Sequence, residues 1–329
     1  MMAFDLPAAL KAALERRTQG IPRADLARRA ATLSSTYRGG GGSAVIRESA
    51  DALAYAITRM PATYAATSAC LGEIARLDPD AAPTSLLDVG AGPGTATWAA
   101  AEMFASLSRF AQLEPNAVLG MLARDLAKDA PRFAALAQTA GAAGAIATCD
   151  GADLVVASYV LTELPPSELA AFAAALWQKT QQVLLLVEPG TPAGYGRLMA
   201  VRSQLLGAGA HVLAPCPHAG PCPLTAPDWC HFVQRLARSR DHKLVKGADV
   251  PFEDEKFAYL ALTRQVAAQR PSARVLAQPV VGKAAVSAKL CMADGAVRQV
   301  GVARRDKPAF AAARRWAWGD AIDDLGGEG

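Results

Sequence analysis

The chain has 329 residues, is 52% hydrophobic and 19% charged, and carries a formal net charge of +4. That composition excludes a disordered chain and gives ample core for one large domain or two smaller ones. No apolar run approaches the ~18 residues of a membrane span, and the opening MMAFDLPAALKAALERR lacks the basic-then-apolar order of a signal peptide. A cytoplasmic protein with no membrane contact, working as a monomer, is expected.

The charge is unevenly spread. Cys230 to Lys246 holds five basic residues and one acid. Pro271 to Trp318 holds nine basic residues against Asp294 and Asp306, while the charged residues of the last eleven positions are all acidic. A basic C-terminal third is a footprint for a polyanion. It is equally what an ordinary solvated surface looks like.

Residues 6–17, 23–36 and 44–76 repeat apolar side chains every three or four positions, which predicts helices. Gly39 to Gly42 breaks the second from the third. Tyr37, Arg38 and these glycines read as a surface loop, with ligand or RNA contact as the alternative. Cys70 falls in an alanine-rich helix and reads as a small core residue.

From Ser85 the rhythm changes to strand, helix, strand. SLLDVGAG is a strand running into a loop, with Asp88 followed by Gly90, Gly92 and Gly94. Glycines there let the chain turn sharply and let a ligand lie on the main chain, facing the free N–H groups of the next helix. RFAQLEPN at 109–116 is the second strand and carries Glu114, 24 residues past Gly90. An acid near that distance takes the ribose hydroxyls of an adenosine cofactor. AGAIATC, ending at Cys149, is the best candidate for the third strand. DLVVASYVLTEL at 153–164 is the fourth, Pro165 and Pro166 open a helix over 166–179, and QQVLLLVEPGTPAG is the fifth with its loop. The pattern predicts an α/β fold with a parallel sheet whose ligands bind at the strands' carboxyl ends.

A dinucleotide site would read GxGxxG; this loop reads DxGxGxG. With Glu114 and the strand at 153–164, residues 84–200 resemble the class I S-adenosylmethionine-dependent methyltransferases. The resemblance implies that Asp88, Gly90, Gly92, Gly94 and Glu114 bind S-adenosylmethionine, with Asp153 or its neighbours toward the adenine. Methyl transfer to an amino nitrogen often uses an Asn-Pro-Pro-aromatic turn after the fourth strand. Here that stretch runs Ser158-Tyr159-Val160-Leu161-Thr162-Glu163-Leu164-Pro165, and the turn is missing. Glu163 and Glu188 are read as orienting or capping groups rather than bases, so no catalytic residue is assigned.

Residues 214–231, APCPHAGPCPLTAPDWCH, place Cys216, Cys222 and Cys230 in a C-x5-C-x7-C spacing, the first two flanked by prolines. Proline stiffens the backbone and removes N–H groups, giving a loop that presents thiols ready for a metal. Three or four thiolates suit zinc or an iron–sulfur cluster, and spacing alone does not decide. His218, His231 and Cys291 are candidates for a fourth ligand.

VEPGTPAG, LAPCPHAGPCPL, DWCHFVQRLARSRDHKLVKG and FEDEKFAYLAL resemble the ribosomal small-subunit methyltransferase-like family, which includes mitochondrial small-subunit assembly factors and their bacterial relatives. The densest likeness runs over 186–262 and extends to the WGD at 318–320. It implies binding to the small ribosomal subunit and its rRNA, and a 4Fe–4S cluster on Cys216, Cys222, Cys230 and Cys291, with zinc as the alternative metal.

The stretch 229–247 reads as a basic helix, and ARVLAQPVV, AAVSAKLCM and AVRQVGVAR as short strands with a turn at Asp294–Gly295. A last helix, PAFAAARRWAWGD, mixes Arg314 and Arg315 with Trp316 and Trp318, suiting phosphate contact and base stacking. Core packing is the expected role of each tryptophan. The expected organisation is a helical segment at 1–82, a cofactor-binding Rossmann-like domain at 83–210, a metal-binding basic α+β part at 211–320 and an acidic tail at 321–329.

Overall fold

A computed structural model of the chain describes residues 4–266 and 269–324. The acidic tail from 325 onward lies outside the described residues. Three helices come first: α1 (Ala8–Thr18), α2 (Arg23–Arg38) and α3 (Ser49–Leu77). The alternating region follows as β1 (Ser85–Val89), α4 (Thr95–Met103), β2 (Arg109–Glu114), α5 (Ala117–Ala127), β3 (Ala137–Ala140), β4 (Ala152–Ser158), α6 (Leu169–Lys179), β5 (Thr180–Pro189) and α7 (Pro192–Gly207). Next come β6 (His211–Ala214), β7 (Phe232–Ala237), α8 (Arg240–Lys246) and β8 (Phe252–Thr263). The chain continues through β9 (Ala273–Val275), β10 (Val280–Val281), β11 (Ala285–Met292), β12 (Val297–Ala303), α9 (Lys307–Ala313) and β13 (Ala321–Ile322). No helix among the described residues is long and apolar enough to cross a membrane.

The first sheet has the order β3-β2-β1-β4-β5-β8-β6, with β7 also paired to β8. β1 to β5 are mutually parallel, whereas β8 runs antiparallel to β5, β6 and β7. Successive residues point to opposite faces, so the central strands bury both. Leu86, Leu154 and Leu185 join a core with α1, α2, α3 and α4; Leu87, Val155 and Leu184 join another with α6 and α7. That two-sided burial is why these strands read as continuous apolar runs.

The second sheet has the order β10-β11-β9-β13, with β12 on the other edge of β11. Its core is small: Ala273, Val275, Ala288, Leu290, Met292 and Ile322, backed by Val300 and Trp316. A core of that size supplies little stability alone, so cross-links to the larger sheet matter.

Two sequence expectations change. The third strand is Ala137–Ala140, while Ala143–Thr148 is a 3-10 turn. β3 is a four-residue edge strand with no fully buried residue, so it has no apolar run to announce it. The expected helix over 229–247 is instead β7 followed by the short α8. Phe232 and Leu236 are four apart and fit a helix, yet burial alternates along β7 with Phe232, Gln234 and Leu236 inside. Arg235 directly faces Asp254 on β8 and pairs with it at 2.7 Å.

Candidate functional site

The turn after β1 requires its glycines. Gly90, Gly92 and Gly94 have φ of 71°, 55° and 85°, values that L side chains rarely adopt. A Cβ at Gly90 would lie 2.3 Å from Val160 Cγ2, and one at Gly94 would lie 2.8 Å from Gln112 Nε2. Gly90 N donates to Leu113 O at 2.8 Å, which brings the turn against the end of β2.

Glu114, ending β2, accepts from Gly92 N at 2.7 Å and Asn116 N at 2.8 Å. Burial pushes its carboxyl up, and these two backbone donors oppose that. Asp88 is 1% exposed and accepts from Thr97 N at 3.0 Å and Thr97 Oγ1 at 2.8 Å. Burial raises its pKa to about 7. Asp88 therefore braces the first turn of α4 from beneath the loop, and Gly94 packs on Gln112. Gly90, Gly92 and Glu114 line a cavity of about 1150 Å³, whereas Asp88 and Gly94 are not among its lining residues. Asp153 sits at the opposite end of β4, accepting from Thr84 N at 2.7 Å and Thr84 Oγ1 at 2.8 Å, so it does not reach the adenine side.

The cavity draws on more than the sheet. Tyr37, Arg38, Gly40 and Gly41 from the end of α2 line it, as do Tyr55 and Arg59 of α3. Tyr37, Arg38 and the glycine run had ligand contact as their alternative reading in the sequence, whereas Tyr55 and Arg59 gave no signal there. The turn after α2 is fastened over the strand ends: Asn116 Nδ2 donates to Ser43 O at 2.8 Å and Ile46 O at 3.0 Å. Glu163 accepts from Ser43 N at 3.3 Å and Ser43 Oγ at 3.2 Å. Glu188, fully buried, accepts from Leu161 N at 2.9 Å, and burial raises its pKa to about 8. Glu188 thus holds the 161–163 turn, and Glu163, within that turn, ties it to Ser43.

The cysteines gather elsewhere. Cys216, Cys222, Cys230 and Cys291 all line one largely apolar cavity with Tyr195, Leu198, Met199 and Leu276. Cys70 and Cys149 lie in the two main cores. Tyr195 Oη donates to Cys222 Sγ at 3.1 Å, and Cys291 Sγ is 3.5 Å from His218 Nε2. His231 does not line the cavity and stacks on Trp229 with ring centroids 5.0 Å apart. Burial raises the thiol pKa values of Cys216 and Cys230, and of Cys291 to about 12. Among the described residues, no three His, Cys, Asp or Glu side chains are arranged to hold a single metal ion.

Two buried guanidiniums surround these thiols. Arg202, 4% exposed, donates through Nη2 to His218 O at 3.1 Å and Gly220 O at 2.8 Å. Its Nε has no partner. Arg274 lines the cavity wall and donates to Pro215 O at 2.8 Å and Gly319 O at 2.9 Å. A signal for Arg202 existed: it interrupts the apolar stripe Leu198, Val201, Leu205 on α7.

The basic run at 230–246 is partly neutralised within the fold. Arg235 pairs with Asp254, while Arg238 and Lys246 both pair with Glu253, at 3.2 and 2.8 Å. By contrast Arg304, Arg305, Lys307, Arg314 and Arg315 are exposed around β12 and α9, and none has an ion pair among the described residues.

A family model described as "Mitochondrial small ribosomal subunit Rsm22" matches residues 49–323. A human protein described as "Ribosome assembly protein METTL17, mitochondrial" is 29% identical over 294 residues, covering 83% of this chain and 62% of that protein. The "Rsm22-cox11 tandem protein 2, mitochondrial" of Schizosaccharomyces pombe is 25% identical over 319 residues, covering 82% of this chain and 42% of that protein. The chain therefore spans less than two thirds of the length of these relatives. Among solved structures, magnesium protoporphyrin IX methyltransferase from Synechocystis PCC 6803 with bound SAM is 12% identical, with 71% of this chain and 92% of that chain covered and a TM-score of 0.42.

These descriptions overturn the cytoplasmic location expected from the sequence, since the family and both relatives are described as mitochondrial. The composition of a folded domain carries no address; targeting is read from separate signals. The expected family resemblance holds: matched over residues 49–323, the chain belongs to the Rsm22 family.

Proposed function

We propose that the chain acts on the small ribosomal subunit during its assembly, through contact with rRNA. The observation that carries this reading is the family match over 49–323, joined by a relative described as a ribosome assembly protein. The exposed cations at Arg304, Arg305, Arg314 and Arg315 support it, because unpaired cations are the groups that meet phosphates.

S-adenosylmethionine is assigned to the Gly90–Glu114 end of the large cavity. The Gly90 and Gly92 main chain along the cavity wall, and the Glu114 carboxylate at the strand end, suit the methionine and ribose portions. Asp88 and Gly94 shape that loop from behind.

A 4Fe–4S cluster is assigned to Cys216, Cys222, Cys230 and Cys291. The donor set suits it, and the unpartnered Nε of buried Arg202 and the Arg274 guanidinium offer positive charge to a thiolate-bound group. The same donor set would also suit zinc, and metal content decides between the two. Bound there, the cluster supplies iron–thiolate bonds that tie the 216–230 loop to β11.

The enzymatic form of this reading is rRNA methylation. The missing acceptor turn after β4, with Glu163 and Glu188 both engaged by backbone, favours a second form in which the protein assembles without methylating. Incubating the purified chain with small subunits and methyl-labelled S-adenosylmethionine separates them. Label in the rRNA supports the enzyme. Stable association without label supports the assembly factor, and neither outcome appearing overturns both.

A further inference from the structure

The large cavity exceeds what its cofactor needs. Its volume of about 1150 Å³ is above the ~300–1,000 Å³ usual for a small-molecule site, and Gly90, Gly92 and Glu114 account for one end only. The other end is walled by α2, α3 and the α8 region, with Tyr37, Tyr55, Arg59, Arg238 and Lys246.

Tyr159 links the two ends. It is the one non-glycine residue with positive φ, at 61°, among the described residues, and such backbone persists only where its surroundings enforce it. Its N–H donates to Val187 O at 2.7 Å, and its hydroxyl donates to Glu255 Oε1 at 2.8 Å. Arg59 Nη2 lies 3.7 Å from the same carboxylate. The ring therefore reaches from the cofactor-side turn toward Arg59. Beyond it, the half-buried rings of Tyr37 and Tyr55 have centroids 6.0 Å apart and planes at 43°.

We propose that this far end is a compartment for one unpaired RNA nucleotide, resting on the ribosomal reading above. The base lies against the Tyr37 and Tyr55 rings, which suit any base because every base has a π-face. Its phosphates meet Arg38, which has no ion pair among the described residues, and the excess positive charge of Arg59, Arg238 and Lys246. Of the charged groups lining the cavity, four are cations (with Arg38) and three are carboxylates: Glu114, Glu163 and Glu253. Glu114 serves the cofactor end and Glu163 is held by Ser43, so Glu253, paired with Arg238 and Lys246, and Glu255 beside Arg59 oppose the four cations at the far end and leave two in excess. A nucleotide taken from a duplex must first leave its stack, so single-stranded RNA is the expected source.

The test uses the full chain saturated with S-adenosylhomocysteine and a single-stranded RNA carrying one 2-aminopurine. Binding is followed by anisotropy and base environment by fluorescence. The expected result is a clear fluorescence change on binding. Tyr37→Ala/Tyr55→Ala loses it while anisotropy affinity stays within about threefold, because the β12–α9 cations remain. Tyr37→Phe/Tyr55→Phe keeps the rings and keeps the signal, which guards against misfolding as the cause. RNA binding with no fluorescence change at any label position, or a change indifferent to the alanine pair, overturns the compartment. If the chain binds no RNA, the ribosomal reading fails, and nucleoside monophosphates titrated onto the same loaded chain decide the compartment alone. Binding that the alanine pair weakens about tenfold or more upholds it. No binding, or displacement of S-adenosylhomocysteine, overturns it.

Discussion

Arg274 Nη2 donates to Glu73 Oε1 at 2.5 Å, joining β9 of the second sheet to α3 across 201 residues. Arg274 is 2% exposed and also holds Pro215 O, at the start of the cysteine loop, and Gly319 O near the C-terminus. One guanidinium thus fastens three segments around the thiol cavity. Arg274→Met removes all three links and leaves Glu73 with only Arg76. Breaking a buried pair on one side costs about 3–5 kcal/mol, and the remaining Arg76 contact puts the expected loss near the lower figure. Urea unfolding measures it, and Glu73→Gln/Arg274→Met is expected to lose less than Arg274→Met alone. A loss under about 1 kcal/mol for the single variant contradicts the role.

Gly90→Ala meets two obstacles: a φ of 71° and Val160 Cγ2 at 2.3 Å. The expected cost is about 1–3 kcal/mol, together with loss of S-adenosylmethionine binding by calorimetry. Adding Val160→Ala relieves the clash and leaves the backbone strain. The double variant is therefore expected to regain stability only in part, and full recovery contradicts the strained turn.

Glu188 makes stability depend on pH. Burial raises its folded-state pKa to about 8 from an ordinary 4.5. Below pH 4.5 the carboxyl is protonated folded and unfolded, and its contribution is fully present. As pH rises, the unfolded chain ionises first, so stability falls between about 4.5 and 8 and levels off above. Glu188→Gln keeps an acceptor for Leu161 N without a charge. Its melting temperature is expected to match the parent near pH 4.5 and to exceed it increasingly toward pH 8. Parallel curves across that range contradict the assignment.

The parts legible in the sequence were those buried on both faces or fixed by backbone conformation. β1, β4 and β5 followed from continuous apolar runs, β2 from its place after the glycine loop and its terminal Glu114, and the Gly90–Gly94 turn from its glycines. β3 escaped because an exposed four-residue edge needs no apolar pattern. β7 escaped because Phe232 and Leu236 satisfy helix and strand spacing alike, and only the pairing of Arg235 with Asp254 across β8 decides. The three clustered cysteines and distant Cys291 were visible as residues, yet their shared cavity depends on Arg274 and on β11 pairing with β9. Tyr55 and Arg59 look like ordinary helix positions until α3 is laid over the strand ends.

Cys291→Ser tests the thiol cavity. Parent protein purified without oxygen is expected to be brown, with about four irons per chain, as a single 4Fe–4S cluster requires. Cys291→Ser is expected to lose the visible absorbance and most of the iron, and its C-terminal sheet is expected to become sensitive to protease. Cys70→Ser and Cys149→Ser, altered in the main cores, keep the iron. Unchanged iron in Cys291→Ser removes that residue from the ligand set, and stoichiometric zinc in place of iron removes the cluster.

The small-subunit role is tested most directly by sedimenting the purified chain with separated ribosomal subunits through a density gradient. The chain is expected to travel with the small subunit and not the large one. Four phosphate contacts predict that affinity falls by about 100-fold between about 50 and about 200 mM salt. Arg304→Glu/Arg305→Glu/Arg314→Glu/Arg315→Glu is expected to release it at the lower salt. A chain that stays at the top of the gradient at low salt, or that follows both subunits equally, contradicts the role.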